Sequence, residues 1–266
     1  MPYLSPALNV MVAAARKAGR ALIRDFGELE HLQVSMKGPA DFVSVADERT
    51  ERILIEELSR ARPGYGFLVE ESGVIEGPDK THRFIIDPLD GTTNFLHGIP
   101  QFAISIALER DGQIVSGVVF NPVTDELYVA EKNHGAFLNE RRLRVAARTS
   151  LKQALFATGI PFLGREGHEQ FLAQLGEVMA VTAGVRRFGA ASIDLAWVAS
   201  GRFDGFWERG LSPWDIAAGM LLVREAGGVV SDLDGRSRMF ESGTIVCANE
   251  SLHPQLLKQL RTPAKT

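Results

Sequence analysis

The feature that most constrains the fold of this 266-residue chain is a change in the spacing of its apolar residues. Near the N-terminus they recur at helical spacing. Leu8, Val12, Ala15, Leu22, Ile23 and Phe26 predict a helix from Leu8 to about His31, with Ser5 and Pro6 as its cap and first turn. A second helix is expected from about Ser44 to Arg60, turning Val45, Ile53, Leu54 and Leu58 inward and stopped by Arg62-Pro63-Gly64. Met36-Lys37-Gly38-Pro39-Ala40-Asp41 reads as a polar linker between them. Then the period becomes two. Phe67–Val69, Arg83–Ile86, Ala103–Ala107, Ile114–Phe120 and Glu126–Ala130 read as strands, punctuated by turns at Asp111-Gly112 and Asn121-Pro122. Short connections favour antiparallel pairing among them.

Beyond Arg148 the rhythm changes again, to strand and helix in alternation. Strands are expected near Leu155–Thr158, Asp204–Trp207, Val229–Ser231 and Thr244–Cys247, and helices near Glu166–Val181, Ala191–Ser200, Pro213–Glu225 and Leu252–Leu260. The result is an antiparallel-sheet half, about 1–150, followed by a mixed α/β half, about 151–266. With no repeat, low-complexity tract or long linker, residues 1–266 read as one catalytic unit.

Composition narrows the function classes. A formal net charge of -4 gives no global basic field, so direct binding to nucleic acid or an anionic membrane is not expected. The one cysteine, Cys247, excludes an intramolecular disulfide framework and sits in an apolar run that suits a buried core residue. No signal segment or membrane-length apolar run is seen, and a cytoplasmic location is the economical expectation.

The chemistry concentrates in Asp87-Pro88-Leu89-Asp90-Gly91-Thr92-Thr93-Asn94. Asp87 follows a buried strand, Pro88 is expected to end its ladder, and Asp90-Gly91-Thr92 suits a tight turn opening a short helix. Two carboxylates so placed repel unless one takes a proton or a cation sits between them. Oxygen donors are what a hard divalent ion such as Mg²⁺ selects. Glu70-Glu71-Ser72 also follows a strand, and Trp214-Asp215 puts an acid in the first turn of a helix. Each of these taken alone is compatible with an ordinary loop or cap residue.

Together, Asp87–Asn94, Glu70-Glu71-Ser72 and Trp214–Gly219 resemble the three signature segments of the inositol monophosphatase family, in the same order and spacing. The likeness runs from Lys37 through the final helix. Gly201–Glu208 and Leu222–Gly228 are similar to its bacterial SuhB-type branch. The resemblance implies a layered α-β-α-β-α sandwich, a homodimer, and a Mg²⁺-dependent, lithium-sensitive phosphatase holding two or three ions per site. It implies that Glu70, Asp87 and the Leu89 carbonyl surround a first ion, that Asp87 bridges to a second completed by Asp90 and Asp215, and that Glu70 holds a third through water. Thr92, backed by Asp47, would position the attacking water, with Gly91 beside the phosphate.

On the substrate side the resemblance matches Glu208 to an acceptor for ring hydroxyls, Gly189-Ala190-Ala191 to a pocket wall, and Lys37 to a lysine near the metals. Related phosphatases for nucleotide-like bisphosphates carry Asp-Gly-Thr-Lys-Glu-Phe where this chain has Asp90-Gly91-Thr92-Thr93-Asn94-Phe95, so an inositol monophosphate is the expected substrate. Histidinol phosphate, sugar phosphates and nucleoside monophosphates remain open alternatives, as does a SuhB-like association with the transcription machinery. Arg141-Arg142 and Arg186-Arg187 read as solvated strand faces or interface residues.

Overall fold

The Ser5 side chain accepts a hydrogen bond from the Leu8 N–H at 3.2 Å, and Pro6 takes the first helical position. Helix α1 (Pro6–Phe26) therefore starts where its cap and proline predicted, and it ends earlier than His31. The structure, a computed structural model, describes residues 5–29, 34–38 and 41–261, excluding the side chains of 36–38 and 41–43. In chain order there follow β1 (Val34–Gly38), β2 (Asp41–Ser44), α2 (Val45–Ala61), β3 (Gly66–Val69), β4 (Gly73–Ile75), β5 (His82–Asp90), α3 (Thr92–Leu96), β6 (Ala103–Arg110), β7 (Gln113–Asn121), β8 (Glu126–Glu131), β9 (Gly135–Leu138) and β10 (Arg141–Arg142). The C-terminal half contains β11 (Leu155–Thr158), α4 (His168–Met179), β12 (Gly184–Arg186), α5 (Ala191–Ala199), β13 (Gly205–Arg209), α6 (Pro213–Glu225), β14 (Val229–Ser231), α7 (Met239–Ser242), β15 (Thr244–Ala248) and α8 (His253–Arg261).

The stretch expected to be a linker after α1 instead contributes to an antiparallel pair, β1 with β2. The first large sheet has eight strands in the order β10-β9-β8-β7-β6-β5-β3-β4. One pairing departs from the antiparallel expectation: β3 and β5 run parallel, with Leu68 opposite Ile85. The cause is β4, which turns the chain out to the sheet edge and adds one reversal before β5. The second sheet has the order β12-β11-β13-β15-β14, with β11 parallel to β12 and β13 and β15 antiparallel to β13 and β14.

Strand alternation fixes the layers. Phe84, Ile86, Ile104, Ile106, Val118 and Phe120 pack with Leu8, Met11, Leu54 and Leu58, so α1 and α2 cover one face of the first sheet. The intervening residues Ile85, Ala107 and Val119 pack instead with Ile193, Leu195, Ile216 and Leu222 of α5 and α6. Phe206, Ile245 and Cys247 join the same cluster from the second sheet. On that sheet's other face Phe156, Trp207 and Val246 meet Val178, Leu256 and Leu260 of α4 and α8. This is the layered α-β-α-β-α sandwich, with a mixed second sheet as expected. Each fully buried Leu, Ile or Phe contributes about 1.5–3 kcal/mol, so three apolar interfaces hold the acids' frame in place. No helix among the described residues is long and apolar enough to cross a membrane.

Candidate active site

The acids come together where the first sheet meets α2, α5 and α6. Pro88 does not end β5. The strand continues to Asp90 through a bulge, pairing Asp87 with Ser105 and Asp90 with Ala103. Ser105 in turn donates its hydroxyl to the Trp214 carbonyl at 3.2 Å, tying the strand beside Asp87 to the start of α6. Gly91 takes φ 94° and opens α3, and a Cβ there would sit 2.9 Å from the Gln101 carbonyl. Asn94 locks α3 onto the neighbouring loops by donating to the carbonyls of Gln101 at 2.8 Å and Phe188 at 2.7 Å.

Helix starts hold three of the carboxylates. Asp47 forms a capping box on α2, where its Oδ2 accepts the Ser44 N–H at 2.8 Å and the Ser44 hydroxyl at 2.6 Å. Its Oδ1 lies 3.1 Å from Thr92 Oγ1, which also lies 3.0 Å from the Leu89 carbonyl oxygen. Asp215 forms the matching box on α6, accepting the Ser212 N–H at 2.7 Å. Asp90 reaches across to α5, accepting the Ser192 N–H at 2.7 Å and the Ser192 hydroxyl. Asp87 has much less: the Leu89 N–H at 2.9 Å and a side-chain hydrogen bond shared with Glu70.

The electrostatics follow from that arrangement. Burial, and after it the charges of Glu70, Asp90 and Asp215, push the Asp87 carboxyl well above the ordinary carboxylate range. Asp215 is pushed well above it too, by burial and by Asp90, against the pull of the Ser212 N–H. Burial raises Asp90, but Ser192 and the N–H groups of Ala191 and Ile193 oppose the rise. Among the described residues, no three His, Cys, Asp or Glu side chains close on one point as a finished metal cage. The donors are nevertheless all oxygens, and among the described residues the charges acting most strongly on Asp87 are the acids Glu70, Asp90 and Asp215. That set suits a hard divalent cation bound through a few carboxylates, a carbonyl and water. Glu70, Asp87, Asp90, Asp215 and the Leu89 carbonyl are the groups that can hold it.

A cavity of about 540 Å³ opens over this cluster, within the range of about 300–1,000 Å³ for small-molecule sites. Asp90, Thr92 and Asp215 line it together with Gly189, Ala191 and Glu208. Gly91 lines it as well, whereas Ala190 is buried behind, its methyl packing toward Gly91. Glu208 is admitted because Gly159 has no side chain; a Cβ there would lie 1.8 Å from Glu208 Oε1. Burial and Asp90 push the Glu208 carboxyl up to about 8, opposed by Arg187 and Arg165.

The structure thus joins Glu70 to Asp87, Asp47 to Thr92, and Asp90 and Asp215 to the cavity wall. The Lys37 side chain lies outside the described residues. Arg187 lines the cavity, not a free strand face. Sequence reasoning missed Ser192 and Glu51, and the anchoring task of Asn94, whose partners lie 102, about 20 and 94 residues away along the chain. It also missed Asp194, a buried acid on α5 whose Oδ1 has no hydrogen-bond partner and whose carboxyl burial pushes well up. The available signal was a polar residue on an otherwise apolar helix face.

Known proteins share the family and the fold over nearly the whole chain. The model of the inositol monophosphatase family matches residues 3–264. The inositol-1-monophosphatase of Mesorhizobium japonicum is 61% identical over 259 residues, 97% of each chain. The Nus factor SuhB of Pseudomonas aeruginosa is 44% identical over 262 residues, again 97% of each. Among solved structures, the extragenic suppressor protein suhB from Bartonella henselae superposes with a TM-score of 0.95 at 56% identity, covering 97% of this chain and 99% of that one.

Proposed function

Because this chain belongs to the inositol monophosphatase family, we propose that it hydrolyses phosphate monoesters with Mg²⁺, myo-inositol monophosphate foremost. The observation that carries the reading is the set of mutually repelling carboxylates around Asp87, of which Asp90 and Asp215 line the 540 Å³ cavity. Glu70, Asp87 and the Leu89 carbonyl would hold one ion, and Asp87, Asp90 and Asp215 a second, with a third reached by Glu70 through water. When bound, such ions lower the pKa of water and neutralise charge on the phosphate and leaving oxygens.

The chain's own groups do the positioning. Thr92 directs its proton at Asp47 or the Leu89 carbonyl, which leaves its lone pairs for a water beside the cluster. No side chain acts as covalent nucleophile, so the water attacks phosphorus directly, in line with the departing alcohol. Gly91 and Thr92 border the phosphate, while Glu208, Gly189 and Ala191 face the alcohol, where Glu208 accepts hydroxyl protons. The family likeness supports a lithium-sensitive, cytoplasmic homodimer with one catalytic unit over 1–266.

Phosphate release from inositol 1-phosphate, histidinol phosphate, glycerol phosphate and fructose bisphosphate, with and without Mg²⁺, tests the reading. The inositol ester is expected to show the highest kcat/KM; no release from any of them sinks the proposal. The relatives named Nus factor SuhB favour a second role alongside the first, association with the transcription machinery. A pull-down at mild salt that recovers no transcription components would remove it.

A further inference from the structure

Helix α2 carries a second buried acid one turn beyond Asp47. The i, i+4 spacing places Asp47 and Glu51 on the same helix face, and they are 0% and 3% exposed. Asp47 reaches Thr92, the first residue of α3 just past β5. Glu51 reaches the turn after β3: one oxygen accepts the Glu71 N–H at 3.0 Å and the other accepts the Ser72 hydroxyl. A carboxylate bonded through both oxygens to consecutive residues fixes the orientation of that turn. On the other side, the Glu70 N–H donates to the Ile86 carbonyl at 3.2 Å, next to Asp87. Glu70 is therefore held by the sheet before it and by Glu51 after it.

We infer that Glu51 is a positioning residue which, through Glu71 and Ser72, sets the Glu70 carboxylate against Asp87 and so prepares the ion site. Asp47 and Glu51 then make one face of α2 a two-point clamp, on the start of α3 and on the turn that carries Glu70. Groups hydrogen-bonded directly to metal ligands typically govern metal affinity by about 10–100-fold, which sets the scale for Glu51, bonded to the two residues that follow Glu70. A residue that merely braced the fold would lower stability and leave ion affinity unchanged. The inference rests on the proposal that Glu70 and Asp87 hold Mg²⁺.

The test measures Mg²⁺ affinity by calorimetry on metal-free protein, together with amide exchange at Glu71 and thermal unfolding. Glu51→Ala is expected to weaken Mg²⁺ binding by about 10–100-fold and to speed exchange at Glu71. Glu51→Gln restores most of the affinity, because its amide oxygen can accept the Glu71 N–H while its NH₂ donates to Ser72. If Glu51→Ala does not fold, Glu51→Asp replaces it, withdrawing the carboxylate by one methylene. Folded Glu51→Ala or Glu51→Asp with wild-type Mg²⁺ affinity overturns the inference. Wild-type protein that binds Mg²⁺ yet releases no phosphate defeats the proposed function alone. Wild-type protein that binds no Mg²⁺ overturns both.

Discussion

Asp87 and Asp90 stand three residues apart in one strand, both buried at 2% and 8% exposure, and they are held in opposite ways. Asp90 is seated on the start of α5, where a hydroxyl and peptide N–H groups answer its charge. Asp87 sits at the β5 bulge beside Glu70, with one N–H and an acid for company. The donors at the helix start offset part of the cost of charging Asp90, whose carboxyl burial still raises. Asp87 needs either a proton or a cation. On the proposed reading, the difference puts the greatest need for a cation at the Asp87–Glu70 pair, with Asp90 and Asp215 completing the site.

Substitution separates the two most sharply. Asp87→Asn is expected to cut phosphate release by at least about a thousand-fold, the scale of losing a principal electrostatic group. It also removes a like charge, so metal-free Asp87→Asn should unfold at or above the wild-type temperature. Asp90→Asn should unfold below it, since a neutral oxygen accepts the α5 donors about half as strongly. The reverse order in thermal melts would break the comparison. Thr92→Val is expected to lower kcat about a hundred-fold with little change in KM, while Thr92→Ser keeps most activity.

The pH dependence sharpens the same contrast. Folding raises the carboxyls of Asp87, Asp215 and Glu208, so the native state keeps protons that the unfolded chain releases. Their contribution to stability is full below the ordinary carboxylate range near pH 4 and is lost as pH rises through the raised values, up to about 8 for Glu208. Metal-free protein should melt at progressively lower temperature from pH 5 to pH 8. Mg²⁺ at about a hundred times its Kd should add about 2.7 kcal/mol at pH 8, and less at pH 5. An unfolding temperature that climbs with pH in metal-free protein would contradict this. The smallest effect is expected for Ser192→Ala, which removes one bond to the Asp90 charge and should cost about 1.5 kcal/mol in denaturant unfolding.

Much of this was legible in the chain. Period and punctuation located Pro213–Glu225, Leu155–Thr158 and Val229–Ser231, because caps and apolar alternation are local properties. The β3–β5 pairing was not, since strand direction depends on the β4 excursion, and β4 is too short and exposed to show a pattern. The acids Glu70, Asp87, Asp90 and Asp215 stood out through their motifs. Their partners did not: Ser192 and Glu51 are ordinary helix residues until folding brings them to Asp90 and Glu71.

The central claim, that the Asp87–Glu70 pair has the greatest need of a cation, is tested most directly by proton counting. Mg²⁺ is titrated calorimetrically into metal-free protein at pH 7, in two buffers of different ionisation enthalpy. Wild-type protein is expected to release at least about one proton on binding, and Asp87→Asn about one fewer than wild type. Wild-type binding with no proton released would contradict the account.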